Sequence, residues 1–228
     1  MEGEGNSVER RSEKAYFTFG RFQPPTLGHG RLIQELANTA SEQYGDAYVF
    51  VSSTVDKKKN PLSVFQKVSW LKYMFPDVNV RFINTTTCRK AFASVAPTQE
   101  CKTIFAVLDV LRSAGYKDVT LCVGSDRVPD FTRMLSKFTP EGISVHILGL
   151  GGIRDASASN LSGMSGTKMR EAALRNNFPT FLAGTGLADD PARALMGQVQ
   201  AGMRGGNRTR NATKNLRRTT RRARVRNV

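Results

Sequence analysis

Along the chain, short apolar runs alternate with longer segments in which apolar residues recur every three to four positions. Five runs rich in β-branched and aromatic residues predict strands: Ala15–Gly20 (AYFTFG), Asp46–Ser53 (DAYVFVSS), Asn79–Asn84 (NVRFIN), Asp118–Gly124 (DVTLCVG) and Ile143–Leu150 (ISVHILGL). Helical spacing fills the intervals. Gly28–Ala40 carries Leu32, Ile33, Leu36 and Ala37 on one face, and Pro61–Phe75 carries Leu62, Phe65, Val68, Trp70 and Leu71. Gln99–Ala114 carries Ile104, Val107, Leu108 and Leu111, and shorter helices fit Arg127–Phe138 and Met164–Arg175. Strands apolar on both faces, alternating with helices of this length, imply parallel β-α-β units. The expected fold class is α/β: a Rossmann-like, doubly wound parallel sheet of about five strands with helices on both faces, followed by a disordered basic C-terminal tail. Ligands of such sheets sit at the carboxyl ends of the strands, on the loops that lead into helices.

Composition changes this picture mainly at the ends. Residues 1–14 form a polar leader, 15–187 the folded body, 188–203 a linker and 204–228 a tail. Of 228 residues, 39% are hydrophobic, enough for one core. The net charge of +15 is concentrated in RGGNRTRNATKNLRRTTRRARVRNV, Arg204 to Val228, which holds ten Lys/Arg and no acid. High single-sign charge and few apolar residues predict disorder and polyanion binding: genomic DNA, RNA or an anionic capsid interior. No run approaches the ~18 apolar residues of a membrane span and the start lacks a signal-peptide h-region, so a cytoplasmic or host-cell intracellular protein is expected, with no membrane partner. Cys88, Cys101 and Cys122 are odd in number and lack C-x-x-C spacing, which predicts free thiols rather than a disulfide framework or a zinc site.

Three loops at strand ends carry candidate chemistry. The first is GRFQPPTLGHGRLI, Gly20 to Ile33, where two prolines fix the turn and Gly28 lets backbone approach a ligand as a helix starts. Helix N-termini attract anions through unpaired N–H groups and the macrodipole. His29, one of two histidines, sits in that first turn, where its imidazole could donate to a phosphate oxygen and Arg21 could reach the same charge. The second is SGMSGTKMREAA, Ser162 to Ala173, which gathers Ser162, Ser165, Thr167, Lys168 and Arg170 where another helix starts. The third is VGSDR: Gly124 permits close approach, while Asp126 either holds a ribose hydroxyl, a base edge or a metal-bound water, or caps the next helix. In DKKKNPLS, Lys57, Lys58 and Lys59 either meet an acceptor phosphate or form a solvated run. Gly151–Ser162 either closes over substrate or is merely mobile. His146, among apolar neighbours, reads as a core or strand-end histidine.

GRFQPPTLGH resembles the G-R-F-x-P-[HT]-x-G-H signature of the nucleotidyltransferase superfamily that includes nicotinamide mononucleotide and phosphopantetheine adenylyltransferases. MSGTKMR resembles its second signature, I-S-x-T-x-x-R, and KNPLS looks like the E-N-P-F-T of archaeal-type nicotinamide mononucleotide adenylyltransferases. The whole pattern, over Ala15 to Gly186, is most similar to cytidylyltransferase-like proteins of tailed phages and large DNA viruses. The resemblance implies transfer of a nucleotidyl group from ATP or CTP to a phosphorylated small molecule, with Mg²⁺ and release of pyrophosphate. It implies that Thr26, in place of the commoner histidine, His29 and Arg170 are catalytic. Gly20, Arg21, Phe22, Gly28, Gly124, Asp126, Ser165, Thr167 and Lys168 would line the nucleotide site, and Lys59 and Asn60 the acceptor site; no protein metal site is implied. The R-T-x-G-[IV]-S-T signature of choline- and glycerol-phosphate cytidylyltransferases is missing, which favours ATP. The rival expectation is a nucleic-acid-binding or virion-associated protein that retains the fold, its tail being the working part.

Overall fold

A computed structural model describes residues 12–137, 140–151 and 165–205. Its strands are β1 Lys14–Gly20, β2 Asp46–Val51, β3 Arg81–Ile83, β4 Asp118–Gly124 and β5 Ser144–Leu150. They form one parallel sheet in the order β3-β2-β1-β4-β5. The helices are α1 Leu27–Glu42, α2 Val64–Met74, α3 Thr85–Ala91, α4 Ile104–Ser113, α5 Val128–Leu135, α6 Gly166–Leu174, α7 Phe178–Thr185 and α8 Asp189–Met203. The chain runs outward from β1 to β3, then returns to lay β4 on the other side of β1. That reversal makes the carboxyl ends of β1 and β4 the topological switch point, the place where doubly wound sheets bind ligands.

Alternate side chains of each central strand serve opposite faces, as the pleat requires. Phe17, Tyr48, Phe50, Val119 and Leu121 pack with Val107, Leu108 and Leu111 of α4 and with Phe92. On the other face Val49 and Val51 meet Ile33 and Leu71, while Tyr16 and Cys122 meet Leu36 and Ala40. The amphipathic α1 and α4 are therefore readable from periodicity alone.

A third cluster corrects the expected domain layout. Residues 189–203 are not a linker but helix α8, with Ala192, Leu195, Met196 and Val199 buried at helical spacing. They pack with Met169, Ala172, Phe181 and Leu62, and Trp70 Nε1 donates to Gln198 Oε1 at 2.9 Å. The cysteine expectation is also corrected: Cys88 and Cys101 form a disulfide, joining α3 to the segment before α4, with Cα atoms 6.1 Å apart. Only Cys122 is a free thiol; it is buried, and burial pushes it up to about 12. His146 lies on edge strand β5 with its side chain 61% exposed, 3.4 Å from Asp118, so it is not a core residue. Residues 1–11, 138–139, 152–164 and 206–228 lie outside the described residues, and with them Phe138, Ser162, most of the leader, almost all of the Gly151–Ser162 loop and all but two residues of the tail.

Candidate active site

The loop from β1 to α1 is shaped by its own side chains. Phe22 takes φ = 47°, which turns its ring back over Gly20, where an added Cβ would lie 2.7 Å from the ring. The Phe22 ring also meets the His29 imidazole edge-on at 5.0 Å between centroids. Thr26 is the N-cap of α1, accepting from the His29 N–H at 3.4 Å. His29 completes a reciprocal capping box from the third helical position, a place that glutamate or glutamine ordinarily takes. Its Nδ1 accepts the Thr26 backbone N–H at 3.1 Å and lies 2.9 Å from Thr26 Oγ1. An acceptor at Nδ1 puts the proton of the neutral ring on Nε2. The cap thus sets the tautomer that can donate toward a phosphate.

Gln23 ties this loop to two others. Its buried carboxamide donates to the Leu62 carbonyl and accepts the Leu62 N–H, both at 2.9 Å. Its backbone carbonyl accepts from the Arg170 guanidinium at 2.6 Å, and Arg170 donates a second bond to Thr167 Oγ1 at 3.0 Å. A Cβ at Gly166 would lie 2.9 Å from the Gln23 carbonyl, so glycine at the start of α6 is what admits this contact. Ser165 is the N-cap of α6, accepting the Lys168 N–H at 3.2 Å. Burial and the neighbouring Arg21 charge hold the Arg170 pKa below its usual value. Two like charges side by side favour an anion between them.

The lysine-rich segment folds as a turn around Asp56. Its carboxylate accepts the N–H groups of Lys58, Lys59 and Asn60 at 2.9, 2.6 and 3.3 Å, and the Asn60 side-chain amide as well. Those bonds hold Asp56 down at about 2. Lys57, Lys58 and Lys59 are exposed; Asn60 is 4% exposed and faces into the turn, so its work there is to close it. On the β4 side, Gly124 precedes a 3₁₀ turn, Ser125–Arg127, in which Asp126 is exposed. Neither that turn nor α5 has a side-chain cap bond, which removes the capping alternative for Asp126.

The structure therefore brings together Gly20, Arg21, Phe22, Thr26, Gly28, His29, Ser165, Thr167, Lys168 and Arg170, through Gln23. Two contributors escaped the sequence reading. Gln23 was visible only as the unspecified position of the first signature. Lys67 is fully buried on α2, where Val64, Lys67, Val68 and Leu71 share a face, and its Nζ donates to the Ser52 carbonyl. Ser52 in turn donates its N–H to the Gly20 carbonyl at 2.9 Å. Burial pushes Lys67 down to about 8. A third cation thus underlies the strand ends that Arg21 and Arg170 flank.

The switch point of a parallel sheet, two helix N-termini and converging cations together make an α/β site suited to a phosphate-bearing ligand. The sequence profile of the family described as cytidylyltransferase-like matches residues 17–172, and the chain belongs to that family, which makes it a nucleotidyltransferase. The fold is similar to the crystal structure of a Vibrio parahaemolyticus protein described as a nicotinate-nucleotide adenylyltransferase. That match has a TM-score of 0.50 and 16% identity, covering 81% of this chain and 99% of the other. No curated protein sequence matches this chain.

Proposed function

We propose that the protein transfers an adenylyl group from ATP to a phosphorylated small molecule, forming a new pyrophosphate linkage and releasing pyrophosphate. An acceptor phosphate oxygen attacks the α-phosphorus in line, the α–β bridging bond breaks, and its electron pair leaves with pyrophosphate. No protein nucleophile is required; the work is alignment of two anions and stabilisation of developing charge. The observation that carries this reading is the hydrogen-bonded link from Arg170 through the Gln23 backbone to the loop that holds His29, across 141 residues of sequence. His29 Nε2–H donates to the α-phosphate, while Arg170, Arg21 and the N-terminus of α6 hold the β- and γ-phosphates. Gly20, Phe22, Gly124 and Asp126 line the base and ribose side. Lys59 meets the acceptor phosphate. Mg²⁺ enters with the nucleotide as the counterion of its phosphates. Among the described residues no group of three or more His, Cys, Asp or Glu could hold a metal.

The test is pyrophosphate release from ATP or CTP with nicotinamide mononucleotide, its acid form, phosphopantetheine, choline phosphate or glycerol phosphate. Release with ATP and one mononucleotide acceptor is expected; no release with any pair overturns the reading. A second reading, a nucleic-acid-binding or virion-associated protein that keeps the fold, is favoured by the ten Lys/Arg between Arg204 and Val228. Loss of DNA binding with retained transfer after deletion of 206–228 assigns the two jobs to separate parts of one enzyme.

A further inference from the structure

At the opposite ends of the strands from His29 and Arg170, the end of α1 and the starts of β2 and β3 surround a cavity of about 290 Å³. Ala37, Ala40 and Ala47 line it, so its apolar walls are kept open by side chains of one carbon each. Asn79 and Arg81 supply polar groups. Tyr44 lines the same space. It stands just past α1, where its N–H donates to the Ser41 carbonyl at 3.2 Å and the Gly45 N–H donates to the Ala40 carbonyl at 2.7 Å. That pair of bonds closes a helix end whose turning residue is ordinarily glycine or asparagine. Here the turning residue is a tyrosine at φ = 54°. Glycine comes one position later, where a Cβ would lie 2.7 Å from the Tyr16 ring. A bulky side chain at positive φ is strained, and such strain gathers at ligand sites. Tyr44 is nevertheless 87% exposed, so packing within the fold does little to offset it.

We propose that this cavity binds a neutral, planar nitrogen heteroaromatic ring, stacked on Tyr44 with its polar edge toward Arg81 and Asn79. Apolar walls with a few polar groups that fix orientation are the usual make-up of a small-molecule pocket, and this volume, at the lower end of the range, suits one base-sized ring system. The charges argue for neutrality. Arg81 lies 3.6 Å from Asp46, which also lines the cavity, and the carboxyl end of α1 adds partial negative charge, so an anion gains little there. A hydrocarbon chain would set apolar surface against that ion pair. The site shares no lining residue with the candidate active site and does not depend on the reaction proposed above.

Adenine and nicotinamide, both neutral at neutral pH, are the probes. Titrated into the full chain, at least one should move the backbone amide resonances of Tyr44, Gly45, Ala47 and Arg81 with a common dissociation constant. The amides of Gly20 and Gly28 report binding at the candidate active site separately. Tyr44→Ala should raise the constant of the Tyr44 group by at least about five-fold, as loss of a stacking ring does, while Tyr44→Phe keeps it within about two-fold. Both variants change an exposed side chain and should melt close to the wild type. The assignment is overturned if neither probe moves the Tyr44 group, or if Tyr44→Ala binds as the wild type does. It is equally overturned if inorganic phosphate moves the same amides at a lower concentration than either ring.

Discussion

At the amino ends of the strands, Asp46 receives the Tyr116 hydroxyl at 2.7 Å, Tyr116 lies 2.6 Å from the Tyr48 hydroxyl, and Arg81 donates to Tyr48 at 3.1 Å. Arg81 also approaches Asp46 at 3.6 Å, closing a ring of four side chains in which each charge faces its opposite. With its proton spent on Asp46, Tyr116 accepts from Tyr48, and burial holds both phenols above their usual range. The carboxyl ends are built the other way. Arg21 and Arg170 stand beside each other with Asp56 and Glu171 as the nearby opposite charges on Arg170, and Lys67 is buried on a carbonyl. One end of the sheet ties its polar groups into a closed ring; the other gathers cations that are held mainly by carbonyl and hydroxyl oxygens, with charge left over for an incoming anion. Perturbed cations at strand ends suit a site for charged substrates, and their cost is carried by the rest of the fold.

The largest effect that would break this contrast is at His29. Replacing it by alanine should lower pyrophosphate release by ~10²-fold or more, the magnitude of one lost donor to developing charge. His29→Gln separates the two jobs of the residue, because glutamine restores the capping box. Its melting temperature should recover toward wild type while turnover stays low. Near-normal turnover in His29→Gln would reduce His29 to a cap.

The opposite end should respond in stability alone. Asp46→Ala takes the acceptor from the buried Tyr116 hydroxyl and the opposite charge from Arg81 and should cost about 3 kcal/mol, or roughly 6 to 12 °C in melting temperature. Turnover at saturating substrate should stay within about two-fold below that melting point, since the ring lies at the opposite ends of the strands from His29 and Arg170. A rate loss as large as that of His29→Ala would show that the two ends are coupled.

Lys67 gives a smaller and pH-dependent test. Its pKa is lowered to about 8 when folded, from 10.5, so the unfolded chain binds the extra proton between those values. Stability from this group therefore rises with pH from about 8 to about 10.5, and below pH 8 the folded protein bears the full burden of a buried charge. Lys67→Met should stabilise the protein by about 1 to 2 kcal/mol at pH 6 to 7, with the gain fading above pH 8. Destabilisation at pH 7 with no pH dependence would mean that the bond to Ser52 outweighs burial, and that the carboxyl end is not strained there.

What could be read beforehand divides along the same line. The strands and the amphipathic α1 and α4 announce themselves because burial imposes a period, and Asp118–Gly124 matches β4 to the residue. Helix α8 carried an equally regular set, Ala192, Leu195, Met196 and Val199, but alanines and polar neighbours made it read as a connection. The Cys88–Cys101 bridge left no spacing signal, since α3 and the segment before α4 meet only through the fold. Thr26, His29 and Arg170 were legible because signature residues lie at strand-to-helix loops. Gln23 was not, because its function is to hydrogen-bond segments 39 and 147 residues away, and nothing local marks that.

The two histidines give the finest form of the contrast. Both accompany a hydrogen-bonding partner close by, yet only His29 is half-buried at a helix N-terminus with its tautomer set by a backbone donor. His146 meets Asp118 at 3.4 Å with both side chains largely in water, 61% and 43% exposed. Pairs of that kind are worth 0 to about 1 kcal/mol because solvent screens the attraction and two side chains must be ordered. His146→Ala should therefore shift stability by less than about 0.5 kcal/mol and leave pyrophosphate release unchanged. A rate loss in His146→Ala would place a second imidazole in the chemistry, and would move the boundary between the two ends of the sheet onto its β5 edge.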